Sequence, residues 1–513
     1  MTEVAALFQV SSSTIHNWIK EGLLMLDEER HITAKSFREF QKQHAGKHKL
    51  HARANKLHKD EYDANEVGHA IQMELAAETF DDTIGNRYEA MLSESYKNKE
   101  GITYTPKAIV DDMTQGIETD GNTLFLDPCC GTGNFLIRAV EMGVAPEHLY
   151  GFDTDPIAVA IARRRIQELT GYDSPNIVCA DFLREGHRLK MQFDLVFTNP
   201  PWGKKLSKKE RTAYAQRYQT GPSADTSSLF LLSILSVMKP DGFMGLLMPE
   251  SFFKIAVYED ARKAVLQKTI LRIKDYGKAF MNMYSAVSIL VRCSESAEDH
   301  LVHCVYGAKV YSRSQRSFMS LPRNNINYWT KPDEMAVVEQ LMRQPHLTLK
   351  GYAQWSLGIV TGNNAKICKR SRRVGLKPVY RGQDILPGRL KAAQLYINPE
   401  DFERCQQMPP ASMLQAPEML VYRFISNGLV FYCDTHQRFI LNSANMLVLN
   451  GDFPLTSKQL ADIMNSQLTN WLFRQLFNTH KVLKSDLELL PIFTDLSLHR
   501  RFNLLDLSGQ ALE

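Results

Sequence analysis

A short apolar segment that runs into a glycine-rich turn and then a helix-compatible segment constrains the fold of this chain most. Residues 123–126 form the apolar run, residues 127–135 read DPCCGTGNF, and residues 136–142 suit a helix. Gly131 and Gly133 permit positive φ angles and a close approach of the backbone to a ligand. A strand, a glycine turn and a helix in this order are typical of a doubly wound parallel sheet that binds a nucleoside. Leu136 occupies the third glycine position of the dinucleotide-binding pattern, which favours a smaller nucleoside over a pyrophosphate.

Further predicted strands end in side chains that suit ligand binding. Residues 149–153 end in Asp153, roughly 20 residues beyond the glycines, where a ribose-binding acid is expected. Residues 176–180 lead to Asp181, an acid that suits an adenine amino group, and to Phe182, a ring that suits base stacking. A lone acid at a strand end is usually a helix cap. Successive strand ends of this kind instead favour a binding site at one edge of the sheet.

The next predicted strand, residues 194–198, ends in Asn199-Pro200-Pro201-Trp202. The two prolines fix φ at about −65° and remove two backbone donors, so the turn is stiff and its carbonyls face outward as acceptors. An amide, a rigid carbonyl and a flat aromatic ring together suit a planar ring that bears an exocyclic amino group.

As an ordered set, these motifs resemble those of the gamma-class S-adenosylmethionine-dependent N6-adenine DNA methyltransferases of restriction–modification systems. The resemblance begins with Tyr104-Thr105-Pro106, covers roughly residues 80–495, and departs from the family at Cys129-Cys130 and at Trp202, where Tyr or Phe is commoner. It implies S-adenosylmethionine as the cofactor. It implies contacts with this cofactor from Tyr104, Thr105, Pro106, Asp127, Cys129, Gly131, Gly133, Asp153, Asp181, Phe182 and Asn199.

The resemblance also implies the chemistry of the site. The catalytic group is then Asn199, Pro200, Pro201 and Trp202, in which the Asn199 side chain and the Pro200 carbonyl accept the two N6 protons of adenine. The target base has to leave the duplex, at a cost of about a few kcal/mol. Trp202 would stack on one face of that base, and Phe280 is a candidate for the other face, with a plain core position as its alternative.

The net charge of +4 is modest, so any signal for nucleic-acid binding has to come from local clusters of cations. Such clusters are present. Residues 42–59 and residues 366–381 are two such segments. A third, residues 203–221, directly follows the proposed catalytic turn and is best interpreted as a loop that clamps DNA phosphates. The candidate phosphate contacts in it are Lys204, Lys205, Lys208, Lys209 and Arg211.

The expected fold class is α/β, a Rossmann-like doubly wound methyltransferase sheet with a smaller unit at each end. Residues 1–59 comprise a unit that resembles a MerR-like winged helix-turn-helix, with a structural three-helix cap as its alternative, and a basic linker. Residues 60–100 are predicted as a helical extension and residues 101–320 as the catalytic domain. Residues 325–513 resemble the mixed α+β target-recognition domain of the family, which reads base edges in the major groove.

Composition excludes several other classes of protein. The chain of 513 residues has no run of 18 apolar residues and no signal-peptide pattern, so we expect a soluble, cytoplasmic protein with no membrane partner. Its eight cysteines form no Cys-x-x-Cys pair, which predicts neither a metal site nor a disulfide framework.

Alternative functions remain open at this stage. They are an N4-cytosine DNA methyltransferase, a protein glutamine N5-methyltransferase, and a DNA-binding regulator built on an inactive methyltransferase fold. The expected partner is double-stranded DNA, together with a separate restriction endonuclease or specificity subunit. The roughly 100 residues before the predicted sheet contain no plausible nuclease core, and no Walker phosphate loop is found.

Overall fold

A computed structural model describes residues 81–92, 104–221, 224–278 and 285–503, together with scattered positions between residues 24 and 75. The chain divides into two compact units, residues 1–207 and residues 208–513, and each unit is described by itself. No helix in the described part of the chain is long and apolar enough to cross a membrane.

The first unit contains a parallel sheet with the strand order β3-β2-β1-β4. The strands are β1 (Phe125–Asp127), β2 (Leu149–Asp153), β3 (Ile177–Cys179) and β4 (Phe193–Thr198). Strand β1 is buried along its whole length, as expected for a parallel sheet that helices cover. The predicted strands at these positions are confirmed, and all four end at the same edge of the sheet.

Helices of the first unit begin where the sequence supplies a cap or a turn. They are α1 (Ile84–Met91), α2 (Lys107–Thr114), α3 (Asn134–Glu141), α4 (Pro156–Thr170) and α5 (Phe182–Glu185). Helix α4 starts at Pro156 because the side chain of Asp155 accepts the Ile157 and Ala158 amides, and it ends at Gly171, whose φ is +74°. The α/β expectation is therefore confirmed for this unit.

The second unit contains a mixed sheet with the strand order β5-β7-β6-β8-β9. Its strands are β5 (Met238–Pro249), β6 (Lys268–Asp275), β7 (Ala286–Glu295), β8 (Leu301–Tyr306) and β9 (Lys309–Ser314). Strand β7 is antiparallel to both of its neighbours, and β6 pairs with β8 in parallel. The accompanying helices are α6 (Lys208–Tyr218), α7 (Thr226–Leu235), α8 (Glu259–Leu266), α9 (Arg316–Met319) and α10 (Pro332–Met342).

The C-terminal part of the second unit is mixed α+β, as predicted. One sheet has the order β10-β18-β15-β16, and smaller sheets have the orders β14-β11-β17 and β12-β13. The strands are β10 (Ala353–Leu357), β11 (Lys377–Tyr380), β12 (Ile385–Leu386), β13 (Arg389–Leu390), β14 (Leu395–Ile397), β15 (Met419–Arg423), β16 (Phe431–Asp434), β17 (Phe439–Ile440) and β18 (Ala444–Leu449). The helices are α11 (Asn364–Ile367), α12 (Ala411–Leu414), α13 (Ser457–Met464), α14 (Gln467–Leu476), α15 (Lys484–Leu487) and α16 (Leu496–Asn503).

The structure corrects two helix predictions. The single helix expected over residues 458–477 is wrong, because α13 ends at Met464 and Ser466 caps the start of α14, with its hydroxyl accepting the Thr469 amide at 3.2 Å. The helix expected over residues 229–238 instead starts at Thr226, because Asp225 caps it, and gives way to β5 at Met238.

Two segments expected as turn or loop are also corrected. The Pro-Asp-Gly segment at residues 240–242 lies within β5, where Asp241 adopts a φ of +67°. The basic segment 203–221 is not a loop throughout, since Lys208–Tyr218 is helical. Lysine, arginine, glutamate and alanine favour this conformation.

Several predictions concern residues outside the described ranges. They include the helix-turn-helix interpretation of most of residues 1–59, the basic segment 42–59, and Phe280. Among the described positions of the N-terminal part, Ser36–Arg38 are helical, and the Thr33 carbonyl accepts the Phe37 amide at 3.0 Å.

Candidate functional site

Asp127 ends β1 and is almost completely buried, with 1% of its surface exposed. Its Oδ1 accepts the backbone N–H of Cys129 at 3.1 Å. Burial raises the pKa of this carboxyl to about 7, while interactions with Thr198 and with the Cys129 amide lower it. Asp127 thus holds the start of the glycine turn in place and is poised to change protonation near neutral pH.

The glycine turn requires glycine at both predicted positions. Gly131 has a φ of +49° and Gly133 a φ of +92°. A Cβ on Gly131 would lie 2.9 Å from Cε1 of Tyr104, and one on Gly133 would lie 3.1 Å from Cβ of Ala162. The turn therefore packs tightly against its neighbours while leading directly into α3.

Asp153 ends β2 and links this strand to the glycine turn. Its Oδ2 accepts the Gly131 amide at 2.8 Å, and its Oδ1 accepts the Asp155 amide at 2.9 Å. Burial raises the pKa of Asp153, against the lowering effect of these amides. The two carboxylate oxygens have about four lone-pair sites in all, so capacity for a further donor such as a ribose hydroxyl remains.

Asp181 follows β3 and caps α5, since its Oδ1 accepts the Leu183 amide at 3.0 Å. Phe182 is 1% exposed; its ring packs edge-on against Phe152, with centroids 5.3 Å apart, and lies over Gly186. The cap that a lone acid usually provides is thus present. The stacking role expected of Phe182 stays a prediction, because its ring contacts protein on these sides.

Cys129 lies in the glycine turn, where its backbone N–H donates to Asp127. Burial raises the pKa of its thiol well above the usual value, and the charges of Asp127, Asp153 and Asp181 act in the same direction. The thiol is therefore neutral at physiological pH and is a poor nucleophile.

The Asn-Pro-Pro-Trp turn begins where β4 ends. Strands β1 and β4 pair in parallel, with Phe125 opposite Leu195 and Leu126 opposite Val196, so the ends of both strands are at the same level. Asn199, Pro201 and Trp202 are half-buried, whereas Pro200 is buried. The indole of Trp202 is therefore not part of the hydrophobic core.

A buried arginine that sequence reasoning missed ties the surrounding segments to the glycine turn. Arg165 on α4 is 8% exposed, and its Nη1 donates to the Thr132 carbonyl and to Asn134 Oδ1, each at 2.8 Å. Its Nε donates to Asp82 Oδ1 at 2.6 Å. The Asn134 side-chain amide in turn donates to the Thr105 carbonyl at 2.9 Å. The predicted Tyr-Thr-Pro segment and the glycine turn are thereby joined.

Tyr104 and Tyr88 complete this side of the site. Burial, assisted by the charge of Asp153, raises the pKa of Tyr104 well above its usual value, so its hydroxyl remains protonated. The Tyr88 hydroxyl donates to Asp155 Oδ2 at 2.5 Å.

Arg165 had a sequence signal, because it falls on the apolar i, i+3, i+4 face of α4 with Ala158, Ile161 and Ala162.

The basic residues after Trp202 differ in environment. Lys204 is half-buried, and Lys205, Lys208, Lys209 and Arg211 are exposed. Lys208 and Lys209 occupy the first turn of α6. Cations are unfavourable at that end of a helix and anions are favourable, so a bound phosphate would relieve the repulsion.

The chain is similar to DNA methylases over most of its length. The N-6 DNA Methylase family matches residues 79–329, and the TaqI-like C-terminal specificity domain matches residues 377–492. The chain is 42% identical over 386 residues to the Type II methyltransferase M.VspI of Vibrio sp. (strain 343), covering 75% of this chain and 95% of that protein. It is 26% identical over 188 residues to the modification methylase CviBIII of Paramecium bursaria Chlorella virus NC1A, covering 36% of this chain and 47% of that protein.

Among solved structures, the chain resembles the Type IIL restriction-modification enzyme MmeI in complex with DNA. The TM-score is 0.54 at 9% identity, over 80% of this chain and 70% of that one. A DrdV–DNA complex gives a TM-score of 0.53 at 12% identity, over 91% of this chain and 64% of that one. At these identities the likeness bears on the fold alone.

Proposed function

This chain belongs to the N-6 DNA methylase family and is a DNA adenine methyltransferase of restriction–modification type, and we propose how its residues perform the reaction. In our proposal, the glycine turn and the acids around it bind S-adenosylmethionine. The turn from Asn199 to Trp202 binds an adenine that has left the duplex, and a methyl group passes to the N6 atom of this adenine.

The observation that carries the proposal is the parallel pairing of β1 with β4. This pairing brings the glycine turn and the Asn-Pro-Pro-Trp turn to one edge of the sheet, on adjacent strands. Adjacent strands lie about 4.8 Å apart. A nucleoside held at the first turn would therefore have its reactive end close to an amine held at the second.

The residues present fit S-adenosylmethionine. Gly131 and Gly133 have no Cβ and adopt positive φ angles, so the backbone of the turn is open to a ligand. The carboxyl groups at the ends of β1 and β2 suit the cationic and hydroxyl groups of this cofactor. Cys129, with its neutral thiol, adds a small uncharged wall. When bound, the cofactor supplies an activated methyl group on a sulfonium.

The chain's own contribution at the acceptor is positioning. Adenine N6 is a weak nucleophile because its lone pair is delocalised into the ring. The Asn199 side-chain oxygen and the Pro200 carbonyl would accept the two N6 protons, which favours a pyramidal nitrogen and directs its lone pair. The half-buried indole of Trp202 would stack on the extruded base, and Phe280 stays a candidate for the opposite face.

We propose that DNA is bound by the cations that follow Trp202 and by the target-recognition domain. The cations Lys204, Lys205, Lys208, Lys209 and Arg211 would contact phosphates beside the extruded base. The division into a catalytic domain at residues 101–320 and a target-recognition domain at residues 325–513 is likewise part of the proposal. Because the chain contains its own specificity domain, the partner that we propose is a separate restriction endonuclease.

The test combines transfer of a labelled methyl group with a variant of the amide. We expect the wild-type chain to label duplex DNA and not a glutamine-containing peptide, with N6-methyladenine as the sole labelled nucleoside. Asn199→Ala should reduce the rate of transfer by about 100-fold or more while DNA affinity is unchanged. As a matched control, Asn176→Ala removes an exposed amide that donates to the Glu147 carbonyl at 3.1 Å, and it should retain full activity.

Each alternative has its own outcome in this experiment. N4-methylcytosine as the product would contradict the choice of base, and label in the peptide would contradict DNA as the substrate. Normal DNA binding without any transfer by the wild-type chain would indicate a regulator with an inactive methyltransferase fold.

A further inference from the structure

The C-terminal part of the chain carries a strongly cationic surface loop. We name residues 366–377, which run from the end of α11 to the first residue of β11, the cationic loop; it contains six lysines and arginines and no acid. These cations are all exposed, and they are Lys366, Lys369, Arg370, Arg372, Arg373 and Lys377. Val374 is also fully exposed, with a relative exposure of 105%, which shows that the tip of the loop projects into solvent.

The cationic loop is firmly anchored at both of its ends. On one side Lys369 and Tyr396 of β14 exchange backbone hydrogen bonds of 2.7 and 2.8 Å, and on the other side Lys377 pairs with Ile397 of the same strand. The flanking side chains of Cys368 and Val379 are buried in one hydrophobic cluster. The charged residues between these anchors are therefore presented from a fixed base.

The charges of the loop lack internal counterions. In the part of the chain that the structure describes, none of its six cations forms a salt bridge, although exposed cations elsewhere do. The next arginine along the chain, Arg381, is half-buried and pairs with Asp384 at 3.1 Å. Six unneutralised charges on one anchored loop repel one another, and a polyanion that neutralises them would remove this cost.

We propose that the cationic loop binds the phosphate backbone of duplex DNA, independently of base sequence. This inference rests on the proposed function, which makes DNA the substrate, and it assigns a contact surface that precedes the matched specificity region at residues 377–492. Arginine forks suit phosphate oxygens, and such contacts fix the register of a protein on DNA without reading bases. The loop therefore contributes to affinity and to its salt dependence, and not to the choice of target sequence.

The experiment measures the affinity of the full-length chain for duplex DNA as a function of salt. In the variant R370A/R372A/R373A, three phosphate contacts are lost, and the slope of log affinity against log salt should fall by about 2.7. Between about 50 and 200 mM salt the wild-type chain should consequently lose about 40-fold more affinity than the variant. The loss at low salt should be equal on duplexes of unrelated sequence.

Two further variants control for net charge and for folding. R188A/R316A/K458A removes three exposed cations that pair with acids of their own, so it changes the net charge equally and should keep the wild-type slope. R370K/R372K/R373K keeps the charges and should keep most of the slope. Thermal unfolding of all variants checks that the base of the loop is intact.

Three results would overturn the proposal. They are a wild-type slope in R370A/R372A/R373A, an equal fall in the control variant, or a loss confined to one DNA sequence. Methyl transfer by the wild-type chain separates this failure from that of the proposed function. If the wild-type chain methylates duplex DNA but R370A/R372A/R373A keeps the wild-type slope of log affinity against log salt, only the proposal for the loop is wrong.

Discussion

Replacing Arg165 with methionine should destabilise the first unit and weaken cofactor binding together. The substitution keeps the aliphatic stem but removes the guanidinium that donates to the Thr132 carbonyl and to Asn134 Oδ1. Leaving a buried acceptor without its donor costs about 1–3 kcal/mol for each group. The pair with Asp82 adds little, because that acid is 68% exposed.

Removal of the buried charge recovers part of its desolvation cost, which offsets some of this loss. The free energy of unfolding should therefore fall by about 2–4 kcal/mol in total. For a unit of this size, each kcal/mol lowers the melting temperature by about 2–4 °C. We therefore expect a fall of about 4–16 °C in a calorimetric scan. The affinity for S-adenosylhomocysteine should fall by about 10-fold or more, a change of about 1.4 kcal/mol, because the glycine turn loses its hydrogen bond from Arg165 to the Thr132 carbonyl. Turnover at saturating cofactor should change little.

Arg163→Met provides a matched control on the same helix. The side chain of Arg163 is 39% exposed and lies 3.2 Å from the exposed carboxylate of Asp173, so its loss should cost less than about 1 kcal/mol. Equal effects of the two substitutions would refute the reasoning. So would a variant of Arg165 that loses stability but binds the cofactor with wild-type affinity.

Local patterns predicted the strand ends of the first unit because each apolar run there stops at an acid or at Asn199. In a buried parallel strand every position is apolar, so the first polar residue marks the edge of the sheet. The same reasoning failed for the segment 458–477. Both helices there share one apolar period, and only the capping side chain of Ser466 marks the break between them.

Long-range contacts set the rest of the site, and the partners in these contacts could not be predicted from the sequence. Arg165 meets Asp82 across 83 residues of sequence, and Tyr88 meets Asp155 across 67. Only the fold brings these partners together. The raised pKa of Asp127 likewise depends on its complete burial by other segments, which its motif does not reveal. The residues that we propose to contact the ligands are thus encoded in local motifs, whereas the long-range partners of Arg165 and Tyr88 are not.

Substitutions at three further residues, Trp202, Gly133 and Asp127, test the site. Trp202→Phe should keep catalytic efficiency within about a few-fold of wild type, because the ring still stacks on the base. Trp202→Ala should lower it by about 10- to 100-fold in single-turnover assays, because stacking on a base contributes about 1–3 kcal/mol. Equal activity of the two variants would contradict stacking. Gly133→Ala should cost more free energy of unfolding than Gly116→Ala in urea titrations. Both positions have positive φ, but an added Cβ would lie 3.1 Å from the Cβ of Ala162 at Gly133 and would meet no atom within 4 Å at Gly116. Equal losses would therefore contradict the packing argument. The pKa of Asp127, raised from 3.8 to about 7, means that the folded chain keeps a proton which the unfolded chain releases. Its stabilising contribution is therefore present below about pH 4 and is lost as the pH rises through 7. Relative to Asp127→Asn, which mimics the protonated acid, the wild-type free energy of unfolding should fall over this range and then level off. Parallel pH profiles in denaturant titrations would show that Asp127 is already ionised in the folded chain.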